Sequence, residues 1–74
     1  MNDTNDRIRL HMAVTARVKE RLDALLQRTE AESITEVVRR ALAVYENLVE
    51  TTEAGGKVIL EDKKGNQREV QLTW

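Results

Sequence analysis

The stretch "RIRLHMAV", residues 7–14, decides the fold of this 74-residue chain. Every second position is apolar, and these positions hold Ile8, Leu10, Met12 and Val14. The positions before and between them hold Arg7, Arg9, His11 and Ala13. This period of two predicts a β-strand with one face in a core and the other face exposed. Such a strand needs a partner, because its backbone hydrogen-bonding groups must be paired.

Two helical segments follow the strand. In "TARVKERLDALLQRT" the apolar residues fall on one helical face and Thr15 is a suitable N-cap, which predicts a first helix over about 16–29. In "SITEVVRRALAVYENLVETT" the apolar residues keep the period of 3.6. Ser33 and Glu36 there form the capping-box pattern S-x-x-E. The second helix is therefore predicted to begin at about 34, and Gly55-Gly56 to end it.

The last segment, "KVILEDKKGNQREVQLTW", predicts a β-hairpin. Val58 and Leu60 alternate with polar residues, and so do Val70, Leu72 and Trp74. The turn "DKKGN" between the two runs places Gly65 where a left-handed residue is needed. We divide the chain into a disordered N-terminal tail (1–6), a strand-helix-helix domain (7–53) and a C-terminal β-hairpin extension (54–74).

Composition restricts how so small a domain is stabilised. A domain of this size buries only about 60% of its unfolded surface and commonly needs a disulfide, a metal or a second subunit. The chain has no cysteine and one histidine, so we expect no disulfide, no metal site and no cofactor. No apolar run is long enough for a membrane span, and the start "MNDTND" is polar and acidic, so we expect a cytoplasmic protein. A second copy of the chain is the remaining source of stability.

The net charge of −1 hides an uneven distribution. Residues 7–40 carry eight Lys and Arg against five Asp and Glu, a net charge of +3, whereas residues 1–6 and 41–74 are each −2. Local charge attracts a polyanion more than total charge does. The predicted strand and the helices after it are therefore the part of the chain suited to nucleic acid.

Antiparallel pairing of two N-terminal strands across a two-fold axis would give the strand a partner and would supply the second subunit that a domain of this size needs. The ribbon's apolar face would enter a core shared by four helices, and its other face would present two copies of the basic residues. Such a ribbon fits the major groove of DNA, where arginine can pair with guanine. The predicted dimer core comprises Ile8, Leu10, Met12, Val14, Leu22, Val37, Val38 and Leu42.

The pieces "RLHMAV", "RVKERLDALL" and "SITEVVRRAL", in this order, resemble the ribbon-helix-helix DNA-binding family of the Arc, MetJ and CopG type. The resemblance covers residues 7–50. It implies a mostly α fold with short β elements, an intertwined homodimer with an intermolecular two-stranded antiparallel ribbon. The ribbon residues implied to contact bases are Arg9, His11 and Ala13, to which we add Arg7. The residues predicted to contact phosphate are Ser33, Ile34, Thr35 and Arg40.

Two positions depart from the family pattern. Ala31 stands where the interhelical turn often has a glycine, and Ala13 replaces a polar base-contacting residue and offers only a methyl group. Independent of the resemblance, the start of a helix is a site for anions, because its free N–H groups and dipole favour negative charge. Arg39 and Arg40 also fit as ordinary surface charges of the second helix.

The resemblance implies sequence-specific binding of double-stranded DNA by a transcriptional repressor, on a palindromic operator occupied by one or more dimers. An antitoxin that regulates its own operon is an alternative, and so is a helical protein–protein adaptor without nucleic acid. The hairpin is either a structural cover or a platform for a protein partner or a second dimer. An enzyme is not expected, because the chain has no nucleophile–base pair and no glycine-rich phosphate loop.

Overall fold

The computed structural model of the chain describes residues 8–72 and contains two helices followed by a hairpin. Helix α1 spans Ala16–Thr29 and helix α2 spans Ile34–Glu53, and strands β1 (Val58–Glu61) and β2 (Gln67–Val70) form a two-stranded antiparallel sheet. The predicted helices and hairpin are confirmed. The predicted tail over 1–6, Arg7 and Trp74 lie outside the described residues.

Helix α1 has a local signal at each end. Before it, the extended Thr15 accepts a hydrogen bond on Oγ1 from the N–H of Val18 at 3.1 Å, so the predicted N-cap is confirmed. After it, Glu30 adopts the left-handed conformation with φ 54° and ψ 36°. The N–H of Ala31 then donates to the carbonyl of Leu26 at 3.1 Å, which satisfies a carbonyl at the helix end. The left-handed residue of the interhelical turn is therefore Glu30, one position before Ala31.

Helix α2 begins directly after a serine and ends just before a glycine pair, as predicted. Ser33 is extended and its Oγ accepts from the N–H of Glu36 at 3.2 Å. At the other end Gly55 has φ 89°, and the N–H of Gly56 donates to the carbonyl of Thr51 at 2.9 Å. This is the arrangement in which a left-handed residue closes the last helical turn, and glycine adopts it without steric cost.

The hairpin is closed by one aspartate. Its register pairs Val58 with Val70, and the N–H of Gly65 donates to the carbonyl of Asp62 at 3.0 Å. Gly65 has φ 89°, which confirms the predicted left-handed position. The Asp62 carboxylate accepts from the N–H groups of Lys64 and Asn66, each at 2.9 Å, and from Asn66 Nδ2 at 3.1 Å. These bonds fix the turn from within the hairpin.

The elements pack only against their neighbours in sequence: α1 contacts α2, α2 contacts β1, and β1 contacts β2. Within residues 8–72 the buried residues are Ala31 and Val37 alone. A second group is half-buried where the hairpin covers the end of α2, and it comprises Leu48, Val49, Thr52, Val58, Val70 and Leu72. Residues 8–15 precede α1 without forming a helix or strand. The single chain therefore has little core between its two helices.

Replacing Glu30 by glycine should stabilise the protein. A left-handed conformation costs a residue with a Cβ about 1–2 kcal/mol, and glycine adopts it freely. Glycine gains more entropy on unfolding, which offsets part of this, so we expect Glu30→Gly to raise the free energy of unfolding by about 0.5–1 kcal/mol. Urea denaturation at fixed protein concentration measures the change. Glu32→Gly is the matched control and should not stabilise, because Glu32 does not have a positive φ.

The hairpin turn should lose its carboxylate hydrogen bonds in acid. The hydrogen bonds from the Asn66 side chain and backbone, together with that from the Lys64 N–H, lower the pKa of the Asp62 carboxyl below its ordinary value of 3.8. A pKa that is lower in the folded state gives a stabilisation that is complete above the unfolded pKa and is lost as pH falls through the folded pKa. In an NMR titration, the amide resonances of Lys64 and Asn66 should shift together with a midpoint below 3.8. Midpoints at or above that value would contradict the turn described here.

Candidate nucleic-acid interface

The N-terminal segment of the described chain carries an uncovered apolar stripe. Exposure decreases along it, from 92% at Ile8 and 80% at Leu10 to 64% at Met12 and 44% at Val14. The predicted base-contacting residues between them, Arg9, His11 and Ala13, are exposed as well. Neither side of the segment is therefore buried in the single chain.

This segment lies beside the start of α2. A groove is lined by the N-terminal segment on one side and by both helices on the other, and its lining residues are Ile8, Arg9, Leu10, His11, Met12, Val14, Lys19, Leu22, Ile34, Thr35 and Val38. The fold thus brings the predicted base-contacting residues Arg9 and His11 to the same end of the molecule as the predicted phosphate-contacting residues Ile34 and Thr35.

A second, apolar groove lies between the two helices. It is lined by Leu25, Thr29, Val37, Arg40, Ala41, Val44, Tyr45 and Leu48; we call it the α1–α2 groove. On helix α2, Val38 and Leu42 are 42% and 60% exposed. Of the residues predicted for the dimer core, Val37 is buried and Leu22 half-buried, and the other six are exposed in the single chain.

The first turn of α2 has free hydrogen-bond donors. Ser33 accepts twice, on Oγ from the N–H of Glu36 and on its carbonyl from the N–H of Val37, both at 3.2 Å. The N–H groups of Ile34 and Thr35 have no acceptor within residues 8–72. Two free N–H groups at the positive end of a 20-residue helix are suited to an anion such as a phosphate.

Two arginines share one carboxylate next to this turn. Glu36 forms ion pairs with Arg39 through Oε1 and with Arg40 through Oε2, the latter at 3.1 Å from the Arg40 Nε. In the capping-box pattern the glutamate returns to the N-cap, but here it binds the arginines instead. Sequence reasoning gave Glu36 a capping role only, although its spacing of three and four residues from the two arginines is the signal for such pairs.

The hairpin lies at the opposite end of α2. With a rise of about 1.5 Å per residue, roughly 21–27 Å of helix separate the free N–H groups from Leu48, Val49 and Thr52, which the hairpin covers. The exposed Lys63 and Lys64 belong to the turn of this hairpin. The hairpin is consequently remote from the candidate interface.

Three further findings bear on function. In the range 8–72, no helix is both long and apolar enough to cross a membrane, and no three potential metal-ligating side chains come together in a group that could hold an ion. No protein-family model, no curated protein and no solved structure matches the chain.

Proposed function

We propose that the protein is a homodimeric ribbon-helix-helix DNA-binding protein that acts as a transcriptional repressor. One observation carries the proposal. An apolar stripe and a basic face alternate along residues 8–14, and the stripe is exposed in a chain whose two helices bury only Ala31 and Val37 within the described range.

Pairing of this segment with a second copy accounts for the exposed stripe. An antiparallel ribbon would satisfy the backbone groups of residues 8–14, which have no ladder partner in the described chain. Burial of each large apolar side chain then contributes roughly 1.5–3 kcal/mol. The second copy would also cover the exposed side of α2, where Val38 and Leu42 lie.

The other face of the ribbon supports DNA as the ligand. Each copy would contribute Arg9, His11 and Ala13, and a two-stranded ribbon has the width to enter the major groove. Arginine there can bind guanine O6 and N7 together, and the methyl group of alanine can contact that of thymine. The net charge of +3 over residues 7–40 favours approach to the phosphate backbone.

The start of α2 supports a phosphate contact beside the ribbon. The free N–H groups of Ile34 and Thr35 and the exposed Thr35 side chain lie next to the groove that Arg9 and His11 line. Contacts to phosphate set the position of a protein on the duplex, whereas contacts to base edges supply sequence preference. The two groups of residues are thus assigned different parts of one interface.

Selection of bound sequences from random duplex DNA tests the proposed function. The purified full-length protein should enrich a palindromic site at a stated salt concentration, because a two-fold symmetric dimer binds two related half-sites. Enrichment without symmetry would contradict the dimer, and absence of enrichment would favour a protein–protein adaptor that uses the exposed α1–α2 groove.

Thermal stability should depend on protein concentration. If half of the core comes from the partner, dilution favours unfolding and lowers the midpoint temperature. Circular dichroism melts over a hundredfold range of concentration measure this. A constant midpoint would show that the single chain is stable alone. Met12→Lys should abolish folding of the dimer, because an unpaired charge in a core costs several kcal/mol.

Substitutions at Arg9 and Thr35 should have different effects on DNA binding. Arg9→Ala should cost about 1–3 kcal/mol at one base pair and relax the preference there, while other positions keep theirs. Thr35→Ala should weaken binding to all sequences about equally, because phosphates are the same in every sequence.

Lysine at position 9 is the control for charge. Arg9→Lys keeps the positive charge but loses the planar pair of donors, so it should retain the salt dependence and discriminate less. Fluorescence anisotropy on the selected site and on single-base variants of it measures all three proteins. Equal weakening of specific and random DNA by Arg9→Ala would reduce Arg9 to an electrostatic contact.

A further inference from the structure

Strand β1 has a free edge with exposed apolar side chains. The sheet of the described chain has two strands, so the outer edge of each strand has no other strand beside it. On β1, Ile59 is 47% exposed and Leu60 46% exposed, and the flanking Lys57 and Glu61 are exposed as well. Such an edge can pair with a strand of another chain, because it presents a row of N–H and C=O groups without partners.

The hydrogen bonds of the hairpin indicate which residues of β1 direct their backbone groups to this edge. The N–H of Asp62 donates to the carbonyl of Asn66 at 2.9 Å, so these two residues form a hydrogen-bonded pair. Hydrogen-bonded and non-hydrogen-bonded pairs alternate along an antiparallel ladder. The register of the hairpin therefore bonds Leu60 to β2, and it leaves the N–H and C=O groups of Ile59 and Glu61 facing outwards.

The sequence of this edge is complementary to itself. If two copies of β1 pair antiparallel about Ile59, the outward N–H and C=O groups of one copy meet those of the other, and Ile59 lies opposite its counterpart. Val58 then lies opposite Leu60 twice, once on each side of the centre. Lys57 lies opposite Glu61, also twice, and within the described residues neither of them has an ion pair of its own. Apolar pairs and pairs of opposite charge in these positions stabilise a sheet.

Other registers of the two copies lack this match. A shift by two residues keeps the hydrogen bonds, but in one direction it places Lys57 opposite Lys63, and in the other it places Glu61 opposite Gly55. A shift by one residue sets outward-facing backbone groups opposite inward-facing ones, so the ladder cannot form. The charges thus select the register that is centred on Ile59.

The outer edge of β2 is not suited to the same pairing. Its outward-facing residues are Gln67 and Glu69, and pairing of two copies about Glu69 would set two carboxylates directly opposite each other. Like charges in that position are destabilising, and charged residues on an edge strand protect it against such contacts. The sheet therefore has one protected edge and one edge that is open to a second copy.

We infer that the free edge of β1 binds the same edge of a second copy, which joins two hairpins into one four-stranded antiparallel sheet. A two-stranded hairpin is only marginally stable by itself, and the pairing doubles the number of strands. The hairpin lies at the end of α2 remote from the N-terminal segment, so this interface depends neither on the proposed ribbon nor on DNA. Where the ribbon dimer forms, each dimer carries two such edges, through which successive dimers associate.

Disulfide crosslinking tests the register directly, because the chain has no cysteine of its own. Opposite residues of a hydrogen-bonded pair have Cα atoms about 5.5 Å apart, which a disulfide can span, whereas diagonal neighbours are about 7–8 Å apart. Full-length protein with Ile59→Cys should therefore form a covalent dimer on mild oxidation, measured by non-reducing gel electrophoresis. Leu60→Cys is the matched control: Leu60 is as exposed as Ile59, but its counterpart is a diagonal neighbour, so this variant should give little covalent dimer.

Charge reversal tests the pairs at the two ends of the proposed ladder. Lys57→Glu sets two glutamates opposite each other, and Glu61→Lys sets two lysines opposite each other. Either variant alone should raise the dissociation constant of hairpin pairing by about tenfold or more, since each interface contains the pair twice. An equimolar mixture of the two variants should regain association, because each copy then supplies the charge that the other lacks.

Sedimentation equilibrium of the full-length proteins at low ionic strength measures this association, since salt screens exposed charges. Glu69→Lys is the matched control for Glu61→Lys. It makes the same change in net charge on the same face of the sheet, but on the strand that is not at the interface. It should associate like the wild type.

The outcomes separate this inference from the proposed function. A crosslink at position 59 and restored association in the mixture support the pairing of β1, whether or not the protein binds DNA. Equal crosslinking of Ile59→Cys and Leu60→Cys, or association that neither charge reversal changes, would overturn it and leave DNA binding untouched. Absence of a covalent dimer at position 59 would also overturn it, and would leave the edge to an extended segment of a different protein. Melting curves establish that each variant folds, and Glu61→Arg replaces Glu61→Lys if the latter does not.

Discussion

The two helices of this chain meet over a small area, and this constraint governs the rest of the molecule. Contact between α1 and α2 buries Val37 and the turn residue Ala31, and it leaves large apolar residues such as Val44 and Tyr45 about half exposed. A domain of this size has little stability to spare even when it is compact. The α1–α2 groove and the stripe over residues 8–14 are therefore two apolar surfaces that the single chain leaves uncovered. The proposed dimer supplies their cover with the same two elements from another copy.

The ends of the elements are specified more strongly than their packing. Thr15 and Ser33 each accept a hydrogen bond from the N–H three residues later, and Glu30 and Gly55 each close a helix in the left-handed conformation. These signals involve neighbours in sequence, so they act before any tertiary contact exists. They also fix where α2 begins, and hence where its free N–H groups lie relative to the N-terminal segment.

The ends of the elements could be predicted from the sequence, whereas the packing between elements could not. The bounds of α1 and α2, both N-caps and the left-handed Gly65 were predictable because each depends on residues within four positions of one another. The strand over residues 7–14 is different, since a strand forms only with a partner, and none of the described residues pairs with 8–14. It stays a prediction. The ion pairs of Glu36 with two arginines were not predicted, because the capping-box pattern indicates a hydrogen bond from the backbone N–H of Ser33 to the Glu36 side chain instead.

The packing of each element against its sequence neighbours has a consequence for how the molecule folds. When contacts are local, little chain entropy is lost before they form, and folding is fast. Both helices and the hairpin of this chain are of that kind. The remaining step in a dimer is the meeting of two chains, whose rate rises with concentration. In a cell that makes few copies, the association of two chains, rather than the formation of helices and hairpin within either, would then limit how soon the folded dimer appears.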